Sequence, residues 1–285
     1  MNSKKIAWIT DSAAFIPEDL KNHPDLYTIS HGINFKDASY EDGVNLTTEV
    51  LYKNINEQKE IPKTSQPSIG KIAELCESLK ENYDAAIAVH VSSKLSGTLS
   101  SVAAAAELAD FPLEVVDSTA MSYVITTLLY KGLDMQTQGI DYKEIASFLR
   151  EDATKNENYI LLGNLDQFYK GGRMSGTQYL LGNLLKIKPI IRIHKGEFEL
   201  FEKVRSEKKA LKRLLDLFGE AYQKYKVNKI EIMHGNVKAK AQEYKDEFLN
   251  HYPGLEVIIG EISSSIAVHA GEGTIAIIWH NEPRS

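Results

Sequence analysis

Ala85-Ala86-Ile87-Ala88-Val89-His90-Val91, followed at once by Ser92-Ser93-Lys94-Leu95-Ser96-Gly97-Thr98, is the stretch on which the fold turns. An almost unbroken apolar run of this length predicts a strand buried on both faces. The small polar residues after it predict a turn. The alanine-rich segment through Ala103-Ala104-Ala105-Ala106 predicts a long helix ending near Ala109. Strand, polar turn and helix in that order form the unit of a parallel α/β layer.

The same unit recurs on either side. Upstream, Ile6 to Ile9 predicts a strand ending at Thr10-Asp11-Ser12; downstream, Leu113 to Val116 predicts one ending at Asp117-Ser118. Three strands therefore deliver small polar residues at their carboxyl ends, where open α/β sheets form their ligand crevice. Helices are predicted from Ile69 to about Asn82 with Ser68 as cap, from about Ser122 to Met135, and from about Tyr142 to Asn156.

Beyond that point the alternation stops. Tyr159 to Leu162 predicts a strand, and a helix leads to Gly171-Gly172-Arg173. Pro189 to Ile193 and Glu197 to Phe201 flank His194-Lys195-Gly196 as a β-hairpin. A charged helix from about Ser206 to Tyr225 precedes strands at Lys229 to Met233, Glu256 to Ile259 and Thr274 to Trp279. The fold class is thus α/β in two domains. Residues 1–157 form a Rossmann-like parallel α/β layer, and residues 158–285 an α+β domain with a mixed sheet.

Composition narrows the function. In 285 residues, 33 basic and 39 acidic side chains leave a net charge of −6, against the basic surface a nucleic-acid binder needs. Cys76 is the only cysteine, so an intramolecular disulfide and a multi-cysteine metal site are both excluded. The first residues carry no signal-peptide pattern, and no stretch approaches the ~20 apolar residues of a membrane span. A cytoplasmic protein without stable membrane insertion is expected.

Four segments offer chemistry. Ser93 to Thr98 places hydroxyls and backbone N–H groups at a helix start, which suits an anion, though capping by Ser96 alone would also explain them. Lys63-Thr64-Ser65-Gln66-Pro67-Ser68 is a similar polar segment ahead of a helix. Gly171-Gly172-Arg173-Met174-Ser175-Gly176 carries an arginine able to clamp a carboxylate, or merely a solvated one. His269-Ala270-Gly271-Glu272-Gly273-Thr274 reads as a glycine-rich loop with a histidine. Its match to the dinucleotide pattern is rejected, because it leads into a strand instead of opening a helix. There is no G-x-S-x-G elbow, no phosphate-binding G-x-x-x-x-G-K-[ST] loop and no H-E-x-x-H.

Taken in order, these segments resemble the DegV family, whose best-understood members are fatty-acid-binding subunits of bacterial fatty acid kinase. The resemblance rests on Thr10-Asp11-Ser12, Asp42-Gly43-Val44, Thr64 to Ser68, Ser93 to Thr98, Asp117-Ser118, Lys170 to Ser175, Ile187-Lys188-Pro189-Ile190, Lys203-Val204-Arg205 and His269 to Gly273. It implies an acyl chain in a tunnel between the two domains. The carboxylate would be held at the mouth by Thr64 and Ser96 (with Gly97 beside it), and lined by Arg173 and His269. It further implies that a separate kinase subunit phosphorylates that carboxylate to an acyl phosphate for phospholipid synthesis, so that this chain is a non-catalytic carrier with no cofactor besides its lipid. Glu272 departs from the family, which commonly has proline there and so lacks this charge. Ser263-Ser264-Ser265 is also unusually polar.

Burying alkyl chain contributes ~0.8 kcal/mol per CH₂, so a sixteen-carbon chain gains on the order of 10 kcal/mol before ordering costs. Lys208, Lys209, Lys212 and Arg213 make a local basic face, mostly the solvated exterior of a helix, and Arg205 beside it is the candidate for docking the kinase. Two other readings stay open: an acyl or ester hydrolase using Ser96 and His269, and a lipid-sensing regulatory module.

Overall fold

The computed structural model describes residues 5–173 and 187–284. They fall into two compact units, the described parts of Met1–Thr47, Pro62–Thr154 and Ser263–Ser265 in one, and of Thr48–Ile61, Lys155–Ile262 and Ile266–Ser285 in the other. The main division lies three residues before 157/158. Two short segments also trade sides, so neither unit is one continuous stretch.

In the first unit β1 (Ile6–Asp11), β2 (Leu26–Ile29), β6 (Ala85–His90) and β7 (Leu113–Asp117) form a wholly parallel sheet in the order β2-β1-β6-β7. Every residue of β1 and β6 is buried, which is why both read as apolar runs and not as alternations. Edge strand β2 is mostly half-exposed and left no clear pattern in the sequence. Helices α3 (Ile69–Leu79) and α4 (Thr98–Leu108) pack on one face, where Ile72, Cys76, Val102 and Ala105 meet Ala7, Ile9, Ala86 and Ala88. A small antiparallel sheet, order β4-β3-β5, comprises β3 (Gly32–Asn34), β4 (Ser39–Glu41) and β5 (Lys63–Ser65).

Helices α5 (Tyr123–Thr137) and α6 (Tyr142–Asp152) contact the sheet from β6 and β7. Trp8 is fully buried there, and its indole N–H donates to Gln136 Oε1 at 2.5 Å. A Cβ at Gly132 would lie 2.2 Å from the Trp8 ring. Gly132→Ala is therefore expected to destabilise the protein. Overpacking against an immobile ring costs about 3 kcal/mol, while the gain in helix propensity is only about 1. A net loss of about 2 kcal/mol should appear as a lower urea midpoint; an unchanged midpoint would show that Trp8 has room to move.

The second unit holds a six-stranded mixed sheet, order β10-β9-β8-β13-β11-β12. Its strands are β8 (Asn156–Leu161), β9 (Lys188–His194), β10 (Glu197–Val204), β11 (Lys229–His234), β12 (Glu256–Glu261) and β13 (Ile275–His280). Only β11 and β12 run parallel. The β9–β10 hairpin closes through Lys195 (φ 50°) and Gly196 (φ 85°), both left-handed, with His194 paired to Glu197. That is the two-residue turn whose twist matches the strands.

Other helices of this unit are α2 (Thr48–Gln58), α7 (Leu165–Lys170), α8 (Glu207–Lys224) and α9 (Lys238–His251); the last, α10 (Ser264–Ala270), begins in residues counted with the first unit. α8 and α9 bury Leu214, Phe218, Ala241, Tyr244 and Phe248 with Ile230, Ile232, Ile277 and Trp279 of the sheet. No helix among the described residues is long and apolar enough to cross a membrane.

Three expectations need correction. His269 lies in the last turn of α10, not in a loop. Ser68 occupies the cap position of α3, but its side chain makes no capping bond. Ser96 is not the cap of α4 either: Gly97 takes that place, without a side chain to bond. Met174-Ser175-Gly176 lies outside the described residues.

Candidate functional site

In the first unit the T-S-Q-P and S-G-T segments are neighbours. Thr64 sits in β5, paired with Ile33 of β3, and is half-buried; Ser96 is half-buried in the turn between β6 and α4. A Cβ at Gly97 would lie 2.0 Å from Gln66 Oε1, so glycine is what lets Gln66 lie over this turn. The turn is built by the N–H groups of Leu95 and Ser96, both donating to Ser92 O at 2.9 and 3.0 Å.

Behind Ser96 runs a line of buried polar groups. Ser96 Oγ lies 2.8 Å from Thr98 Oγ1 and accepts from the Thr98 N–H at 3.3 Å. Thr98 Oγ1 lies 2.9 Å from His31 Nε2, and His31 Nδ1 lies 3.0 Å from Ser12 Oγ. The Asp11 carboxylate sits beside them. It accepts from His90 Nδ1, the Val91 N–H and the Ala13 N–H, each at 2.9 Å, and lies 4.0 Å from His31 Nδ1. Burial alone would raise the Asp11 carboxyl. The His90 hydrogen bond, the two imidazoles and the Val91 N–H outweigh it and hold the group below the usual carboxylate range. The sequence offered Thr10-Asp11-Ser12 as a strand end and as one segment of the family resemblance, with no role for its side chains, and His31 and His90 carried no motif at all. The carboxylate at the end of β7 has a structural use: Asp117 accepts from both the N–H and Oγ of Ser93, just after β6, at 3.2 and 2.6 Å.

In the second unit Arg173 and His269 are brought to one glycine. Arg173 Nη1 donates to Gly171 O at 2.7 Å, and a Cβ on Gly171 would sit 2.6 Å from His269 Nδ1. Arg173 is half-buried, and burial draws its pKa down from the ordinary guanidinium value. α7 is tied to α10 by Gln167, whose amide donates to Ala267 O and Val268 O at 3.0 and 2.7 Å. The loop after His269 is equally fixed. Gly271 and Gly273 are left-handed (φ 79° and 91°), Gly273 N–H donates to Gly235 O at 2.8 Å, and Thr274 Oγ1 donates to Ala270 O at 2.8 Å. A Cβ on Gly163 would lie 1.9 Å from Glu272 O, so the two backbones touch there. The Glu272 side chain is exposed and accepts from Asn236 Nδ2 at 2.6 Å, which gives the departing charge a partner of its own.

The polar run Ser263-Ser264-Ser265 leads into α10, with Ser263 Oγ 3.0 Å from Ser265 Oγ. The N–H groups of Ser264 and Ser265, at the start of α10, donate to the Asp42 carboxylate at 3.2 and 3.0 Å. Asp42 is the aspartate of the Asp42-Gly43-Val44 segment, 222 residues away from Ser264.

A family model described as "Uncharacterised protein, DegV family" matches residues 5–282. The chain belongs to the DegV family. A DegV domain-containing protein of Listeria innocua is 32% identical over 280 residues, covering 97% of this chain and 99% of its own. Protein DegV of Bacillus subtilis is 32% identical over 276 residues, covering 96% and 98%. Among solved structures, a fatty acid binding DegV family protein from Streptococcus agalactiae superposes with a TM-score of 0.91 at 30% identity, over 99% of this chain and 100% of that one. DegV from Bacillus subtilis, described as a fatty acid binding protein, gives 0.89 at 31%, over 98% and 100%. The DegV α/β fold therefore extends over essentially the whole chain.

Arg205 is exposed just after β10. The basic run beside it is partly neutralised. Lys212 pairs with Asp216 at 3.1 Å, and Arg213 with Glu202 at 2.7 Å and Glu220 at 3.7 Å. Lys208 and Lys209 are exposed.

Proposed function

We propose that this DegV protein binds one long-chain fatty acid, its carboxylate held by Thr64, Ser96, Arg173 and His269, and presents it to a separate kinase for conversion to an acyl phosphate. The observation that carries the binding half is the near-complete overlap with DegV proteins described as fatty acid binding, at TM-scores of 0.91 and 0.89. The chemistry of the four side chains suits a carboxylate, since two hydroxyl donors, a guanidinium and an imidazole all make charge-assisted hydrogen bonds to it. The kinase half extends the family resemblance, with Arg205 as the exposed docking cation and Lys208 and Lys209 beside it.

Ser96 is poorly arranged as a nucleophile. Its Oγ is bonded to the hydroxyl and N–H of Thr98, where a hydrolase needs a general base in direct contact. The carrier reading therefore predicts no turnover of nitrophenyl esters.

Native and denaturing mass spectrometry of the purified protein tests the proposal. A stoichiometric fatty acid released on denaturation is expected, with occupancy reduced in Ser96→Ala and Arg173→Ala. Loss of one charged hydrogen bond of about 1.5–3 kcal/mol weakens binding about 10- to 100-fold. Failure to carry or take up any fatty acid would remove the function. Normal binding without phosphorylation, when a cognate kinase is supplied, would remove only the second half.

A further inference from the structure

We infer that His31 is a positioning residue that orders a chain of hydroxyls, Ser12 to Thr98 to Ser96, so that the Ser96 proton is left to donate to the ligand carboxylate. The inference deepens the fatty-acid reading and rests on it for the identity of the ligand. What carries it is the direction in which the protons must run.

Ser12 Oγ accepts the backbone N–H of His31 at 3.0 Å, so the hydroxyl has its own proton to place. The acceptor within reach is the lone pair of His31 Nδ1, at 3.0 Å. A neutral imidazole that accepts at Nδ1 carries its proton on Nε2, which then donates to Thr98 Oγ1 at 2.9 Å. Thr98, its oxygen occupied, donates onward to Ser96 Oγ at 2.8 Å. Ser96 now accepts from both the hydroxyl and the N–H of Thr98, and its own proton has no protein acceptor among the described residues. It is the one unplaced donor of the chain, and it sits on the only half-buried member.

Running the chain backwards gives a worse result. Ser96 would donate to Thr98, Thr98 to Nε2, and Nδ1 to Ser12, whose proton would end without an acceptor in the interior. Ser12, His31 and Thr98 are all buried, and an unsatisfied buried donor is the outcome proteins avoid. The forward order puts the unsatisfied donor where an anion can meet it. His90 next door must take the opposite tautomer, because Nδ1 faces the acceptor-only Asp11 carboxylate and Nε2 is buried with no partner among the described residues. The two histidines flanking one aspartate are thus predicted to differ in which nitrogen holds the proton.

Two measurements on the full chain decide it. Long-range ¹⁵N–¹H correlation spectra, with His31 assigned by its loss in His31→Gln, should show protonated Nε2 and bare Nδ1 for His31, and the reverse for His90. Protonated Nδ1 in neutral His31 would overturn the ordering. Separately, hexadecanoate is titrated onto delipidated protein carrying Thr98→Val, Thr98→Ser, Ser96→Ala and the Thr98→Val/Ser96→Ala pair.

Thr98→Val keeps the shape and deletes the hydroxyl that directs the Ser96 proton, and should weaken binding by up to about tenfold, the low end of what a well-aimed hydrogen bond from Ser96 to a charged group contributes. Thr98→Ser should retain wild-type affinity within about threefold, on the ordinary scatter of such changes. In the Ser96→Ala background Thr98→Val should add nothing, since its only route to the ligand is gone. The same tenfold loss in that background would mark Thr98 as merely structural and overturn the inference. Wild-type protein that binds no hexadecanoate would instead overturn the fatty-acid reading and the ligand assigned to Ser96, and the His31 tautomer would still be decided by the spectra.

Discussion

Asp11→Asn is expected to lower the unfolding free energy by about 3–5 kcal/mol at neutral pH, the usual cost of breaking a buried charged hydrogen-bonded cluster. The carboxylate is fully buried and accepts three donors, from His90, Val91 and Ala13. An asparagine presents two donors of its own and must turn them toward one of those groups, leaving a buried clash of donors. The pH dependence follows from the direction of the shift. The folded-state pKa lies below its ordinary value of 3.8, so the unfolded chain takes up a proton first as pH falls. The stability Asp11 contributes is fully present above that ordinary value and is lost as pH falls through the depressed folded value. Urea unfolding of the two proteins at a series of pH values should show a wide gap at pH 7 that narrows in strong acid. A gap below about 1 kcal/mol at pH 7 would mean the histidines and amides find other partners at little cost.

Glu231→Gln should do the opposite. Glu231 lies in the interior of β11, 3% exposed, with Lys229 Nζ at 3.4 Å. Burial raises its pKa from 4.5 to about 7, against the pull of Lys229. Between those two values the folded protein holds a proton that the unfolded chain has released, so stability falls as pH rises through that window. A shift of this size amounts to about 3 kcal/mol, fully expressed above pH 7 and absent below about 4.5. The substituted amide cannot ionise and escapes the penalty. The variant is expected to be more stable than wild type at pH 8 by up to about 3 kcal/mol, with the two converging near pH 4. A variant less stable at pH 8 would show that the ion pair with Lys229 outweighs the desolvation of the carboxylate.

The parts of this protein legible in its sequence are those in which neighbours along the chain settle the structure. Strand β6 and the turn to α4 were visible because burial on both faces demands an apolar run, and because small polar residues end it. The β9–β10 turn was visible because Lys195-Gly196 can take the left-handed conformation that hairpins need. Signals that rest on partial burial were weaker. β2 is a mostly half-exposed edge strand, and α9 buries only Ala241, Tyr244 and Phe248 in a charged segment whose i, i+3, i+7 spacing offered a faint cue. His269 read as a loop residue because two glycines follow it closely, at 271 and 273; α10 is short, and its start is held by Asp42.

Pattern and order along the chain were enough for the α/β class, for the parallel layer and for placing Thr64, Ser96, Arg173 and His269 in recognisable segments. How those segments are used is settled by contacts made in three dimensions. Folding lays Gln66 over Gly97, sets the His269 ring against Gly171, and returns Asp42 to the start of a helix more than two hundred residues later. It also joins Asp11, Ser12, His31 and Thr98 into a single buried network behind Ser96. Hydrogen bonds and close contacts of this kind join residues distant in sequence, and a proton's direction along them is set by every partner at once. No stretch of chain read alone contains that information.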